Sequence, residues 1–275
     1  MLKEAIISFI EIFKLNIKNR KKSMAMAKMT LKKRYSGSAL GVGWSLVKPI
    51  LFIFVYWFGI QIGIRGGKPM DGNIPFIFWL MAGIIAWFYI NDVMHIGISS
   101  IRRDSYLVTK VVFPIETIPI YNVMSLFFTH LILLVLVFIV LFICGYYPNI
   151  YYFQIIYYTG FLFFFSCVLC TFLSTLSVIS RDFEQLIKST TMIFFWLSPV
   201  VWAPSKLAEG SLLFKILKLN PFYYFIQGYR DTFLFKTWFF ERPAYTIYML
   251  VFTLLFTLLT AYLYKKLHNE FSDVL

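Results

Sequence analysis

Residues 46–64 read LVKPILFIFVYWFGIQIGI, nineteen residues whose one charge is Lys48 near the leading edge. At ~1.5 Å rise per residue, about twenty apolar residues cross the ~30 Å hydrocarbon core of a bilayer. In that medium a segment must satisfy its own backbone hydrogen bonds, which only a helix or a closed barrel does. Comparable stretches follow, so the chain reads as an all-α polytopic membrane protein. Six transmembrane helices are expected, over 46–64, 74–98, 118–145, 151–179, 186–203 and 244–264.

The composition agrees. Hydrophobic residues make up 60% and charged residues 14% of the 275, against ~25% charged in soluble domains. So much apolar chain leaves no room for a separate nucleotide-binding domain. The net charge of +13 would suggest nucleic acid in a soluble protein, but here it reads as topology. No aromatic-basic recognition module accompanies it, so a nucleic-acid partner is not expected. Cys167 and Cys170 stand in the apolar run FFFSCVLCTFL without a second ligand pair. They read as packing residues rather than as a redox or metal site.

Lys and Arg collect in cytoplasmic loops. Residues 1–48, 99–117, 180–188 and the tail hold eighteen of them, against eight in 61–75 and 203–243. Both termini are therefore expected in the cytoplasm. Ile6, Ile10, Phe13 and Ile17 form one helical stripe beside Lys14 and Lys18, the pattern of an N-terminal interfacial amphipathic helix. Residues 220–235, NPFYYFIQGYRDTFLF, are aromatic but too short to cross and carry Arg230 and Asp231. Short re-entrant helices are expected over 205–240, between spans 5 and 6.

Ionisable residues inside membranes are functional suspects. Here they are few: Asp92 and His95 at i, i+3 in the second span, and His130 in the third. Polar bonding between helices explains them as well as a metal or proton site does. Gly67-Lys68 is followed by Pro69, and Ile62 stands where a Walker loop has its first glycine. ATP and Mg are therefore expected on a partner chain, with no cofactor or metal bound here and no catalytic residue. Aromatic residues make up 21% of the chain. Tyr56, Trp57, Phe88, Phe195 and Trp196 lie away from span ends, where an interfacial belt does not explain them. They are candidates for a path that sugar rings follow, or for packing.

The segment before the first span, Arg34-Tyr35-x-Gly37-Ser38-x-Leu40-Gly41-x-x-Trp44, resembles the opening of ABC-2-type polysaccharide export permeases. Leu107-Val108-x-Lys110-Val111-x-Phe113-Pro114, Ser180-Arg181-Asp182-Phe183-x-Gln185-Leu186 and Ser198-Pro199-Val200 resemble later blocks of that family. Leu219-Asn220-Pro221 and Tyr229-Arg230-Asp231 complete the series, which covers nearly the whole chain. Residues 63–88 are most similar to the branch that exports wall teichoic acid, although O-antigen and capsule permeases share most blocks. Ser36 departs from the second basic residue that relatives often carry there.

The resemblance implies an ABC transporter permease: a homodimer in the bacterial plasma membrane with two copies of a cytoplasmic ABC ATPase. Its cargo is implied to be lipid-linked teichoic acid or a similar polysaccharide. It implies an inner gate at Lys33, Arg34, Ser38, Leu40, Gly41 and Trp44. The loop 100–112 is the implied ATPase dock, with Arg102, Arg103, Asp104, Tyr106 and Lys110 as candidate contacts. Tyr224, Arg230 and Asp231 fall in the implied outer gate. One transmembrane domain then spans 1–275: the gate region 1–45, spans 1–5 over 46–204, outer helices over 205–240, and the last span with its tail over 244–275. A polyprenyl-phosphate glycosyl- or phosphotransferase is the alternative from another class. It lacks support, because Asp71 and Asp182 stand apart from other carboxylates.

Overall fold

The computed structural model describes residues 2–70, 73–107, 113–204 and 211–274, and among them there is no β-strand. Helices α1 (Leu2–Lys18) and α2 (Arg20–Arg34) come first. A 3₁₀ turn at Gly41–Gly43 leads into α3 (Trp44–Trp57), which continues as a π-helix over Phe58–Ile64. Next come α4 (Phe76–Gly97), the short α5 (Ser100–Arg103), α6 (Thr117–Ile143) and α7 (Gln154–Ile179). Helices α8 (Asp182–Leu197), α9 (Leu212–Leu219), α10 (Pro221–Arg230) and α11 (Pro243–Val274) complete the chain.

Among the described residues, five helical stretches are long and apolar enough to cross a bilayer: Gly41–Ile64, Phe76–Gly97, Thr117–Ile143, Ile150–Ile179 and Pro243–His268. The expected fifth span is the difference. α8 has 16 residues, ~24 Å of helix, short of a ~30 Å core. It stops because proline follows Ser198, and a residue before proline is pushed out of the helical region. Ser198 sits at φ −105°, ψ 93° accordingly.

α4 is the centre of the bundle, packed against α3, α6, α7, α8 and α10. In its most apolar window 72% of residues are buried, against 6% in the first span. The sequence of α4 is apolar all round, which suits a helix enclosed on every side. The outer face of α3 instead shows Ile50, Leu51, Phe54, Val55 and Phe58. It is covered by lipid or by another chain.

α1 lies along α11 and α2 along α6. Lys265 Nζ meets Glu11 Oε2 at 2.9 Å, and Arg34 Nη2 donates to Ser125 Oγ at 3.4 Å. The apolar stripe of Ile6, Ile10, Phe13 and Ile17 is exposed.

α9 and α10 form a helical hairpin with Asn220 at its tip. Asn220 caps α10 by accepting from the Phe222 amide at 3.0 Å, with Pro221 in the first helical position. Its Nδ2 donates to Leu197 O at 3.1 Å and Ser198 Oγ at 2.7 Å, which pins the tip to the end of α8. From there α10 runs antiparallel to α4: Phe222 touches Trp87, and Arg230 reaches Trp79. Close approach to α7 requires Gly228, where a Cβ would lie 2.1 Å from the Tyr158 ring.

Candidate functional site

A cavity of about 370 Å³ opens between α3, α4, α6 and α8. Its mouth carries Lys48 from the first turn of α3, Asp92 and His95 from one face of α4, and Lys188 from α8. Lys188 Nζ bonds Glu184 Oε1 one turn earlier at 2.7 Å, and Asp92 lies in the fields of Arg34 and Lys48. Aromatic rings form the wall. Tyr56 meets Phe195 at 5.4 Å between centroids, Trp87 meets Phe195 at 5.5 Å, and Phe52 meets Phe88 at 6.2 Å. The deep end holds Tyr89, Thr129 and His130.

Three of the five expected path residues, Tyr56, Phe88 and Phe195, line this cavity. Trp57 packs, half-buried, against the apolar core, and Trp196 is 49% exposed outside the cavity. α8 turns its 195 position inward, and its 196 position, ~100° further round the helix, faces outward.

Of the six expected inner-gate residues, Trp44 alone lines the cavity, and the other five precede it in the chain. Lys33 and Arg34 end α2, and Tyr35 and Trp44 line the cavity. Between them the chain folds back on itself: Ser38 Oγ donates to Tyr35 O at 2.9 Å, and Gly37 and Gly41 take positive φ. That backbone region is open to glycine and strained for other residues. Leu40 is 54% exposed.

In the expected docking loop, Lys110 lies outside the described residues. Asp104 is turned inward against α6. It accepts from Tyr121 Oη at 2.5 Å and from Asn122 Nδ2 at 3.1 Å, and pairs with Arg103 at 3.4 Å. Arg103 in turn donates to Asn122 Oδ1 at 2.5 Å. The side chain of Asp104 is 14% exposed and Tyr106 is 42% exposed. Tyr106 therefore lies at the surface, and Asp104 holds the loop. Arg102 is half-buried beside it.

Of the expected outer-gate residues, Arg230 and Asp231 sit at the far end of the hairpin and Tyr224 in the first turn of α10. Arg230 is fully buried, its guanidinium 3.4 Å from the centre of the Trp79 ring. Its Nη1 and Nη2 each donate at 2.7 Å, to Pro199 O and Val200 O, and its Nε donates to Trp79 O at 3.3 Å. Two of these carbonyls belong to the irregular segment just after α8, which has no helical ladder to supply their donors. Gly83 makes room for it: a Cβ there would lie 2.5 Å from Nη2. Asp231 accepts from Arg242 Nη1 and from Gln227 Nε2, each at 2.8 Å. Tyr224 Oη bonds Tyr157 Oη at 3.0 Å and Thr246 Oγ1 at 3.3 Å.

Sequence reasoning missed one buried network. His130 Nε2 bonds Tyr229 Oη at 2.8 Å, and Thr159 Oγ1 bonds the same hydroxyl at 3.0 Å. It ties α10 to α6 and α7 beside the cavity. Single polar residues in three separate helices carry no spacing signal that would have joined them. Among the described residues no cluster of His, Cys, Asp and Glu is arranged to hold a metal ion.

The profile of the ABC-2 type transporter family matches residues 22–234, most of the helical bundle. The chain belongs to the ABC-2 type transporter family. The chain is similar to the O-antigen export system permease protein RfbA of Klebsiella pneumoniae, with 26% identity over 255 residues, 89% of this chain and 91% of that protein. A protein of the same name from Myxococcus xanthus is 25% identical over 212 residues, 76% of this chain and 79% of its own. As an ABC-2 protein the chain is a multi-pass membrane component of a transporter.

Proposed function

We propose that this ABC-2 chain is the permease subunit of an exporter of lipid-linked anionic polysaccharide, driven by ATP hydrolysis on a separate subunit. The observation that carries the reading is the cavity: cationic at its mouth, aromatic along its wall and polar at its end. A phosphate-bearing cargo meets Lys48 and Lys188, and sugar rings meet Tyr56, Phe88 and Phe195. Arg34, Lys33 and the Ser38–Trp44 turn gate the inner mouth. The exposed face of α3 and the short α8 suit a homodimer that encloses the path between two copies. In this reading α8 and the segment after it make the sixth crossing, both termini are cytoplasmic, and α1 lies in the inner interface. Tyr106, with Arg102, Arg103 and Lys110, docks the ATPase. The α9–α10 hairpin, with Tyr224, Arg230 and Asp231, closes the outer mouth.

Within this class we assign wall teichoic acid as the polymer, on the resemblance of residues 63–88 and the basic mouth. The relatives named as O-antigen export permeases favour a second reading, a lipid-linked O-antigen. Proteoliposomes holding the chain with its ATPase decide between them. Export of a polyol-phosphate polymer but not of a neutral glycan supports the first assignment. The reverse supports the second, and export of neither refutes the transport reading. Lys48→Glu with Lys188→Glu is expected to slow polyanion export about tenfold or more, because like-charge juxtaposition repels the cargo.

A further inference from the structure

A second hollow, of about 210 Å³, lies between α1 and the face of the bundle made by α6, α7 and α11. α1 packs along α11, and this groove separates it from α7. Its wall is almost wholly apolar and open to the outside: Phe13 of α1 and Phe164 of α7, which both line it, are 52% and 39% exposed. Three threonines in the wall add no polarity. Thr171, Thr257 and Thr260 each donate the hydroxyl to the carbonyl four residues back in their own helix, at 2.8, 2.7 and 2.8 Å. A hollow of ~150 Å³ lined by apolar side chains stays dry and admits a molecule the size of benzene. This one is larger, and it takes hydrocarbon rather than water.

One end of the groove is basic. Asn16 lines that end, its Nδ2 bonded to Glu116 O at 3.4 Å just ahead of α6. Lys14 and Lys18, in the neighbouring turns of α1, are exposed. Lys265 stands two turns beyond Thr257 on α11, ~12 Å along the helix axis. The acids nearby are Glu116, held by His268 at 3.3 Å, and Glu11, which meets Lys265 at 2.9 Å. Lys265 and Glu11 are both 55% exposed, and an ion pair so exposed is weak and opens readily. Half of a ~30 Å hydrocarbon core is ~15 Å, so the groove runs most of the depth of one leaflet from a cationic rim.

We propose that this groove is a binding site for one anionic phospholipid, with an acyl chain between α1 and α7 and the phosphate at Lys14, Lys18 and Lys265. The wall belongs to helices that are long and apolar enough to span, its depth matches one leaflet, and its rim is complementary to a phosphate. A second copy of this chain docking by the same face would set like-charged rims against each other. The acyl chain fills the gap that α1 leaves against α7. α1 runs through Asn19 into α2, which ends at Arg34, so a lipid that seats α1 also steadies that arm. The site is separate from the cavity and independent of what the cavity carries.

The test uses the full chain in phosphatidylcholine nanodiscs with a trace of phosphatidylglycerol that carries a photoactivatable group at mid-chain. Peptide mass spectrometry then reads the labelled positions. Labelling is expected on residues 9–16, 163–171 and 257–261. Unlabelled phosphatidylglycerol should displace the probe at about tenfold lower amounts than phosphatidylcholine, as two or three lysines at an anionic headgroup allow. Lys14→Glu with Lys18→Glu should erase that preference, whereas Lys236→Glu, exposed at the other end of the bundle, should leave it. Cys167→Phe, which fills the groove from its wall, should cut the labelling severalfold. If that variant melts lower, the lysine pair decides, because charge reversal at exposed positions leaves the core intact. Equal displacement by the two lipids, a preference that survives the lysine reversals, or labels that miss these three segments would each overturn the site. Stronger displacement by a polyprenyl phosphate would give the groove to a prenyl tail, and cross-links between copies would make it a dimer contact. Either result also overturns the proposal.

Discussion

Arg230 offers the sharpest test of how the hairpin is held. Its guanidinium is the donor for the Pro199 and Val200 carbonyls, both at 2.7 Å, and stacks on Trp79. Arg230→Ala orphans those two carbonyls at ~1–3 kcal/mol each and removes a desolvated cation–π contact of ~2 kcal/mol. Against that, the variant no longer buries a cation, which returns several kcal/mol. The net expected loss is about 2–4 kcal/mol. Arg230→Lys should be no milder, because an ammonium keeps the charge and lacks the planar fork that reaches both carbonyls. Gly83→Ala attacks the same contact without touching the arginine, since its Cβ would fall 2.5 Å from Nη2. It should cost about 1–3 kcal/mol by overpacking.

These variants separate a structural staple from a bystander. Unfolding in mixed micelles gives ΔΔG for Arg230→Ala, Gly83→Ala and the double variant. The double variant should lose less than the sum, because the alanine methyl no longer meets a guanidinium. Asp231→Ala should fall well below Arg230→Ala, since its partner Arg242 is 43% exposed and can turn to water. Losses below about 0.5 kcal/mol for both single variants, the range of inert surface changes, would refute the reasoning. So would strict additivity in the double variant.

Three further outcomes are expected. Tyr106→Ala should reduce co-purification of the ATPase severalfold, whereas Asp104→Ala should raise deuterium exchange over 100–107 because Tyr121 and Asn122 lose their acceptor; equal loss of co-purification in both would contradict the inward role of Asp104. The His268 hydrogen bond, 3.3 Å long, holds the Glu116 carboxyl below its ordinary value of 4.5. Its stabilisation is therefore present above that value and lost as pH falls through the depressed one, so Glu116→Gln should flatten the fall in melting temperature from about pH 6 to about pH 3. Gly228→Ala should abolish export by forcing α10 off the Tyr158 ring, and Tyr158→Ala in the same chain should restore part of it.

Local physics wrote some of this architecture plainly into the sequence. Long apolar runs with polar ends read as spans because backbone satisfaction in hydrocarbon admits little else. The hairpin tip is equally local: Asn220 followed by Pro221 is a cap and a first-turn proline. The length of α8 was misjudged for the same reason. Residues 186–203 are apolar apart from Lys188 and the Ser and Thr hydroxyls, and hydropathy does not register that Ser198-Pro199 breaks the helix while burial continues. The role of Asp104 was hidden because its partners, Tyr121 and Asn122, lie across a loop and on a span face that looks uniformly apolar. Charge beside a cytoplasmic turn resembles a docking contact until the neighbouring helix is in place.

The broken end of α8 and the buried charge of Arg230 belong to one solution. The chain that leaves α8 buries the carbonyls of Pro199 and Val200 outside any helical ladder, and each is costly unless a donor is brought to it. A lysine offers a single point, a backbone amide is already committed, and an arginine presents a rigid fork. Burying that fork needs a small residue opposite, which is Gly83, and an aromatic face, which is Trp79. The same helix, α10, carries Tyr229 one residue earlier, bonded to His130 in the wall of the cavity. A displacement of the cavity wall at His130 therefore acts on the residue next to the one that holds the break. The cavity and the far end of the hairpin are joined at adjacent residues of one helix, Tyr229 and Arg230, rather than through a loop.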